Sequence, residues 1–314
     1  MSRGVLIERE SERAWLEAAL VEALQGRGSL VLLAGEAGVG KTRFAEAVVE
    51  SADAHFLRGI SSPGALAYGP VTAALRGFMR AVPGGLSGCG PLRPHLALLL
   101  PELGKAIEES DRATLFEAIR CGLAAVVAER PAVVLLDDLQ WSDDATLELL
   151  AALAAPLREL PMLVLGVYRS DEIPRAHQLR RLRNDLRRNH SLRELTLEPL
   201  TAQGTAELAE RVLGARPSAR LARTLHDRTG GIPFFIEELA GALESAGRLR
   251  PGEDGLELAL DADVPLPQTI RDAVLLRASD LSGQARATAE AVSVAGTRFD
   301  VELIAALGWE AGLD

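Results

Sequence analysis

At 314 residues the chain exceeds what one hydrophobic core usually fills, so a main domain with a smaller appendage is the simplest partition. With 48% hydrophobic, 25% charged and 4% aromatic residues it reads as a helix-rich globular protein, and the composition excludes a disordered chain. A formal net charge of −10 disfavours nonspecific attraction to nucleic acid or an anionic membrane, because the overall field repels phosphates.

The N-terminus mixes charges (Arg3, Glu8, Arg9, Glu10, Glu12, Arg13) with apolar residues, which rules out an ordinary signal peptide, and no run is apolar enough to span a bilayer. From Glu8 to about Gln25, Trp15, Leu16, Ala19, Leu20 and Leu24 recur at helical spacing. Leu30 to Ala34 is a short apolar run ending in a glycine-rich turn, the pattern of a strand buried on both faces of a parallel sheet. Residues 55–60, 132–137, 162–168 and 192–197 are further strand candidates separated by helical stretches, so the predicted fold is α/β, a parallel sheet covered by helices. Residues 61–111, rich in Gly and Pro, read as short helices and loops between the second and third strands. Residues 169–193 hold eight arginines and three acids around an apolar stripe, Leu179, Leu182 and Leu186; a solvated helix face is the plainer reading, a patch for a partner domain or nucleic acid the sharper one. The predicted domains are 1–198 for the sheet, 199–247 for a helical lid and 248–314 for a hairpin around Gly252–Gly255 followed by three helices.

Chemistry concentrates where the first strand ends. Gly35-Glu36-Ala37-Gly38-Val39-Gly40-Lys41-Thr42 matches G-x-x-x-x-G-K-[ST] between a buried strand and a helix, the context a phosphate-binding P-loop requires. Glycines let backbone N–H groups curl around phosphates, and the helix N-terminus adds a positive dipole end. Lys41, one of two lysines in the chain with Lys105, is expected to face solvent and reach the β- and γ-phosphates, with the Thr42 hydroxyl on magnesium and Arg43 following in the loop. ATP or ADP with magnesium is therefore the expected ligand. Val133-Val134-Leu135-Leu136-Asp137-Asp138 supplies the carboxylates: Asp137 to hold magnesium, and Asp138 either to polarise the attacking water or to serve as a turn or cap residue. Arg169 ends the fourth strand, where it could sense the γ-phosphate if that strand lies beside the third, or pair with Asp171 or Glu172.

Taken together these segments resemble the STAND branch of AAA-like ATPases, and more narrowly the ATPase region of LuxR-family large ATP-binding regulators. The resemblance begins at Leu6-Ile7-Glu8-Arg9-Glu10, similar to an adenine-side motif in which Glu8 stands where many members carry glycine, and it implies a nucleotide role for Arg9. Asp137-Asp138-Leu139-Gln140-Trp141-Ser142-Asp143 is close to the family's extended Walker B string, although Ser142 and Asp143 also suit a helix cap. Gly230-Gly231-Ile232-Pro233-Phe234-Phe235 resembles the lid motif whose proline packs near adenine, which implies a site role for Pro233. The resemblance further implies a slow ATPase switch that self-associates in its ATP state, regulates transcription and contacts DNA only through a C-terminal domain. No helix-turn-helix is recognisable, and residues 267–314 carry four arginines against seven acids, so the chain is expected to stop inside a winged-helix-like region. Competing readings are a non-hydrolysing nucleotide scaffold and the ATPase module of a cyclase or of an origin-recognition-type DNA loader. Cys89 and Cys121 have no disulfide or zinc spacing and the five histidines are scattered, so a reducing cytoplasm is expected and no metal besides magnesium.

Overall fold

Five apolar segments become the strands of one parallel sheet in the computed structural model, which describes residues 6–259 apart from Ser51 and Ala65, together with Gly283 and Arg286. The helices expected within 267–307 and the winged-helix-like region therefore lie outside the described residues. In chain order the elements are α1 (Glu10–Leu24), β1 (Ser29–Gly35), α2 (Lys41–Val49), β2 (His55–Ile60), α3 (Gly69–Ala81), α4 (Arg93–Leu96), α5 (Arg112–Val126), β3 (Ala132–Asp137), α6 (Asp144–Leu153), β4 (Met162–Val167), α7 (Gln178–Arg188) and β5 (Arg193–Leu197). After them come α8 (Ala202–Leu213), α9 (Ala219–Thr229), α10 (Pro233–Ser245) and the hairpin strands β6 (Leu249–Gly252) and β7 (Gly255–Leu258).

The sheet order is β2-β3-β4-β1-β5, so the chain leaves β1 for the far edge and returns to insert β4 between β1 and β3. Ser29 is paired with Leu163 and Leu33 with Val167 on one side of β4, while Ala132 is paired with Met162 and Leu136 with Gly166 on the other. The C-terminal ends of β1, β4 and β3 thus stand side by side, at the crevice where open α/β sheets place their ligands.

Alternation along the buried strands serves two separate cores. Leu30, Leu32, Val134, Leu136 and Val164 pack with Leu75, Phe78, Ile119, Leu150 and Leu179 on the α3–α5–α6–α7 face. Val31, Leu33, Val133, Leu135 and Leu163 pack with Leu16, Leu20, Phe44 and Val48 on the α1–α2 face. Each such side chain contributes about 1.5–3 kcal/mol by leaving water, which is why these strands are apolar throughout rather than alternating. Edge strand β2 shows the opposite case: Phe56 and Ile60 remain about half exposed while Leu57 is buried.

Two aspartates start helices beside the sheet, Asp111 accepting from Thr114 N at 2.9 Å and Asp143 from Thr146 N at 2.8 Å. The α7 stripe of Leu179, Leu182 and Leu186 is buried, as its spacing predicts. The arginines of α7 are largely occupied within the fold: Arg183 forks onto Glu194 at 2.7 and 2.8 Å, Arg180 donates to the Pro174 and Ile173 carbonyls, and Arg188 pairs with Asp185.

The chain divides into two compact units, Met1–Gly204 with Gly230–Phe234, and Thr205–Thr229 with the residues from Phe235 onward. The turn Gly230–Phe234 therefore belongs with the sheet rather than with the helices around it. In the second unit the hairpin pairs Leu249 with Leu258, and Pro217 and Ser218, just before α9, meet Leu256.

Candidate functional site

Gly35 to Thr42 form a tight loop between β1 and α2, with Gly38 at φ 81° and Gly40 at φ 95°, conformations that favour residues lacking a Cβ. Lys41 does not face solvent: it is buried, and its Nζ donates to Gly35 O at 2.9 Å and Glu36 O at 2.8 Å, folding back over the loop. The physical reason is that the first helical residue of α2 points towards the sheet, so its stem packs while its head stays within the loop. Burial, then the neighbouring Arg169 charge, push its ammonium down to about 8, with Asp171, Asp138 and Asp137 opposing. Arg43, three residues past Gly40, is exposed.

The turn Gly230–Phe234 lies directly on this loop. Phe234 N donates to Gly38 O at 3.2 Å, and a Cβ built on Gly38 would stand 3.1 Å from both Ile232 Cγ2 and Phe234 Cβ. Pro233 opens α10 beside that contact, at the helix position where its missing N–H costs least. Leu200 N holds the turn from the other side through Gly231 O at 2.8 Å.

Arg9 is buried, and its guanidinium donates to Glu198 O at 2.5 Å and approaches Glu12 at 3.5 Å. It pins the N-terminal segment to the end of β5, whose Leu197 is paired with Gly35, so it borders the P-loop through backbone anchoring. Glu8 sits at φ 51°, a left-handed conformation that favours glycine. Its carboxylate accepts from Thr201 N at 2.9 Å and from the Thr201 hydroxyl, which holds the backbone in that conformation.

Across β4, Thr42 Oγ1 donates to Asp137 Oδ2 at 2.9 Å, and Asp137 Oδ1 accepts from Asp138 N at 3.0 Å. Arg58 of β2, not singled out from the sequence, also reaches Asp137 Oδ2 at 3.3 Å while holding Glu46 at 2.8 Å. Only the register of β2 on β3, Ile60 opposite Asp137, brings it there.

Asp138 opens the short turn Leu139–Trp141, its carbonyl accepting from Trp141 N at 2.9 Å. It adopts φ 56° with no side-chain cap bond, and its Oδ1 meets Gln140 Nε2 at 2.8 Å and Arg169 Nε at 3.4 Å. Arg169 also holds Glu172 at 2.7 Å. Burial alone lowers the guanidinium pKa, but Glu172, Asp138 and Asp171 together leave it above its ordinary value. Gln140, 4% exposed, accepts from Arg169 N at 3.2 Å, and its own carbonyl takes a bond from His177 Nε2 at 3.0 Å. Leu139 anchors this turn over β4: a Cβ on Gly166 would lie 2.6 Å from Leu139 Cδ1, so a larger residue there would push that side chain aside. Downstream, Asp143 caps α6, whereas the Ser142 hydroxyl meets that of Ser61 at 2.6 Å.

A positive-φ glycine loop at a helix N-terminus with an ammonium folded into it suits a polyphosphate, and a paired hydroxyl and carboxylate suit a hard, oxygen-seeking cation such as magnesium. Among the described residues no cluster of three or more His, Cys, Asp or Glu suits another metal, and no helix is long and apolar enough to cross a membrane.

The sheet order, the Gly35–Thr42 loop and the carboxylate at the end of β3 define a P-loop NTPase fold. The chain belongs to the AAA ATPase domain family, which matches residues 5–165. A curated protein of Rhizobium meliloti (strain 1021), itself uncharacterized, is 27% identical over 342 positions, covering 97% of this chain. This chain spans 31% of that relative's length. The Walker-type ATPase of Pyrococcus abyssi shares the fold with a TM-score of 0.51 and 16% identity, over 96% of this chain and 88% of its own. A STAND protein with a tetratricopeptide repeat sensor from Pyrococcus horikoshii aligns with a TM-score of 0.49 and 14% identity, over 96% of this chain and 36% of that one.

Proposed function

We propose that the chain is the nucleotide switch of a signal-transduction ATPase of the STAND class, and more narrowly the regulatory ATPase module of a LuxR-family large ATP-binding regulator. The observation that carries this reading is the ion pair between Asp138 and Arg169, 3.4 Å apart at the ends of adjacent strands and one residue from the magnesium-side Asp137. The finer assignment rests on the Asp137–Asp143 string and the Gly230–Phe235 motif.

In this reading the Gly35–Thr42 backbone and Lys41 bind the phosphates of ATP or ADP, while Thr42 and Asp137 hold magnesium, which neutralises phosphate charge when bound. Asp138 takes a proton from the attacking water. Arg169 exchanges its carboxylate partners for the γ-phosphate, so the diphosphate state leaves it on Asp138 and Glu172. Because only the triphosphate competes for Arg169, the two nucleotides differ in the contacts they make, the requirement for any ligand-driven switch. Self-association follows in the ATP state, and DNA is reached through a separate C-terminal domain.

Phosphate release from the purified chain, beside a Lys41→Ala control, tests the hydrolase, and light scattering with ATP or ADP tests the switch. Slow release lost in Lys41→Ala, with a larger mass in ATP, is the expected result. Tight nucleotide retention without any release would make the chain a non-hydrolysing scaffold, and equal mass in both nucleotides would remove the assembly switch.

A further inference from the structure

Gln140 lies in the turn just past the two aspartates, and its side chain is not needed to hold that turn. Trp141 N donates to Asp138 O at 2.9 Å, Ser142 N donates to Leu139 O at 3.1 Å, and Leu139 is buried against Gly166. Both ends of the Gln140 amide are nevertheless used: Nε2 donates to Asp138 Oδ1 and Oε1 accepts from Arg169 N. This orientation is forced, because a flipped amide would set oxygen against carboxylate and NH₂ against N–H. Behind it, His177 Nδ1 accepts from Leu179 N at 3.1 Å, so Nε2 carries the proton donated to Gln140 O. The turn is thereby fastened to the start of α7.

The side-chain hydrogen bond from Gln140 and the ion-pair contact with Arg169 both fall on Oδ1 of Asp138. Once a γ-phosphate draws Arg169 away, Gln140 is the group left holding Oδ1. We propose that Gln140 is the positioning residue for the hydrolytic step: it orients Asp138 so that Oδ2 faces the water, and ties that carboxylate to the backbone of the sensor Arg169. This inference rests on Asp138 being the general base.

The test uses the whole chain with Gln140→Ala, Gln140→Glu, Asp138→Asn and the Gln140→Glu/Asp138→Asn double variant. Gln140→Ala should lower kcat about 10- to 100-fold while ATP affinity stays within about twofold, since the residue touches the base and not the nucleotide. Gln140→Glu has the same shape but sets a second carboxylate against Asp138 Oδ1, so it should lower kcat at least as far as Gln140→Ala, again with ATP affinity within about twofold. Without nucleotide, Gln140→Glu should lower the melting temperature at pH 7, and Asp138→Asn should restore it. Wild-type turnover in Gln140→Ala, an ATP affinity that falls in step with the rate, or a Gln140→Glu melting temperature that Asp138→Asn does not restore would overturn the proposal. Wild-type turnover in Asp138→Asn would instead show that the base assignment has failed, and this inference would fall with it; an inactive Asp138→Asn beside unaffected Gln140 variants would sink the inference alone.

Discussion

The two halves of the proposed nucleotide site are built on different principles. The P-loop half is eight consecutive residues whose backbone and one lysine form the cradle, so its geometry is local to the β1–α2 connection. The carboxylate half draws Asp137 from the end of β3 and Asp138 from just past it, Arg58 from β2, Arg169 from beyond the end of β4 and Gln140 from a turn. Contiguity makes the first half robust and readable, while the second exists only because β4 was inserted between β1 and β3. A cradle recognises any polyphosphate; a network of mutually paired charges can distinguish one charge state from another.

The sharpest way to break this contrast is Asp138→Asn, which should slow hydrolysis about 10²- to 10⁴-fold while ATP still binds, because the metal and phosphate contacts lie elsewhere. Single-turnover phosphate release beside equilibrium ATP binding checks it, and a wild-type rate would move the base to another residue. Lys41→Ala should lower affinity for ATP and ADP alike by about 10²- to 10³-fold, the worth of one or two charge-assisted hydrogen bonds. Its melting temperature should change by only a few degrees, since the mutation also removes a buried charge from the native state. Unchanged nucleotide affinity would place the phosphates outside the loop.

Arg169→Ala should reduce the preference for ATP over ADP by about 10- to 100-fold with ADP affinity nearly unchanged, as a γ-phosphate contact has nothing to touch in the diphosphate. Equal losses for both nucleotides would leave Arg169 a structural partner of Glu172. The smallest effect concerns pH. Lys41 ionises at about 8 in the free protein, and bound phosphate raises that value, so binding takes up a proton above pH 8. ADP affinity should therefore decline by about tenfold between pH 7 and pH 9, and a flat calorimetric profile would contradict the burial of this ammonium. The same lysine titrates lower folded than unfolded, so its stability penalty is complete below pH 8 and fades between pH 8 and 10.5.

Much of the fold was legible from the residues. Continuous apolar runs at β1, β3 and β4 marked strands buried on both faces, and the structure begins and ends them within a residue or so of the expected positions. The α7 stripe and the Gly252–Gly255 hairpin followed in the same way from periodicity and turn chemistry. The burial of Lys41 was not legible, because a charged residue in a polar loop reads as exposed until the direction of the helix start is known. Arg58 gave no signal, being one arginine on an alternating edge strand. Gln140 sat inside a recognised string, yet nothing in one sequence says where its amide points. The bond from the Arg9 guanidinium to the Glu198 carbonyl, 189 positions away, likewise gave no sign in the sequence.

The sequence by itself determined what short-range chemistry determines: which segments are strands, where glycine permits a phosphate loop, and which carboxylates end a buried strand. Those features depend on a residue and its near neighbours, through side-chain burial, backbone freedom and hydrogen-bonding type. The tertiary structure alone decided the order of the strands, and with it that Arg169 meets Asp138, that Arg58 reaches Asp137, and that Gly230–Phe234 lies on Gly38. These contacts join residues tens to nearly two hundred positions apart, and a charge pair closing such a loop forms only after the sheet has placed its ends together.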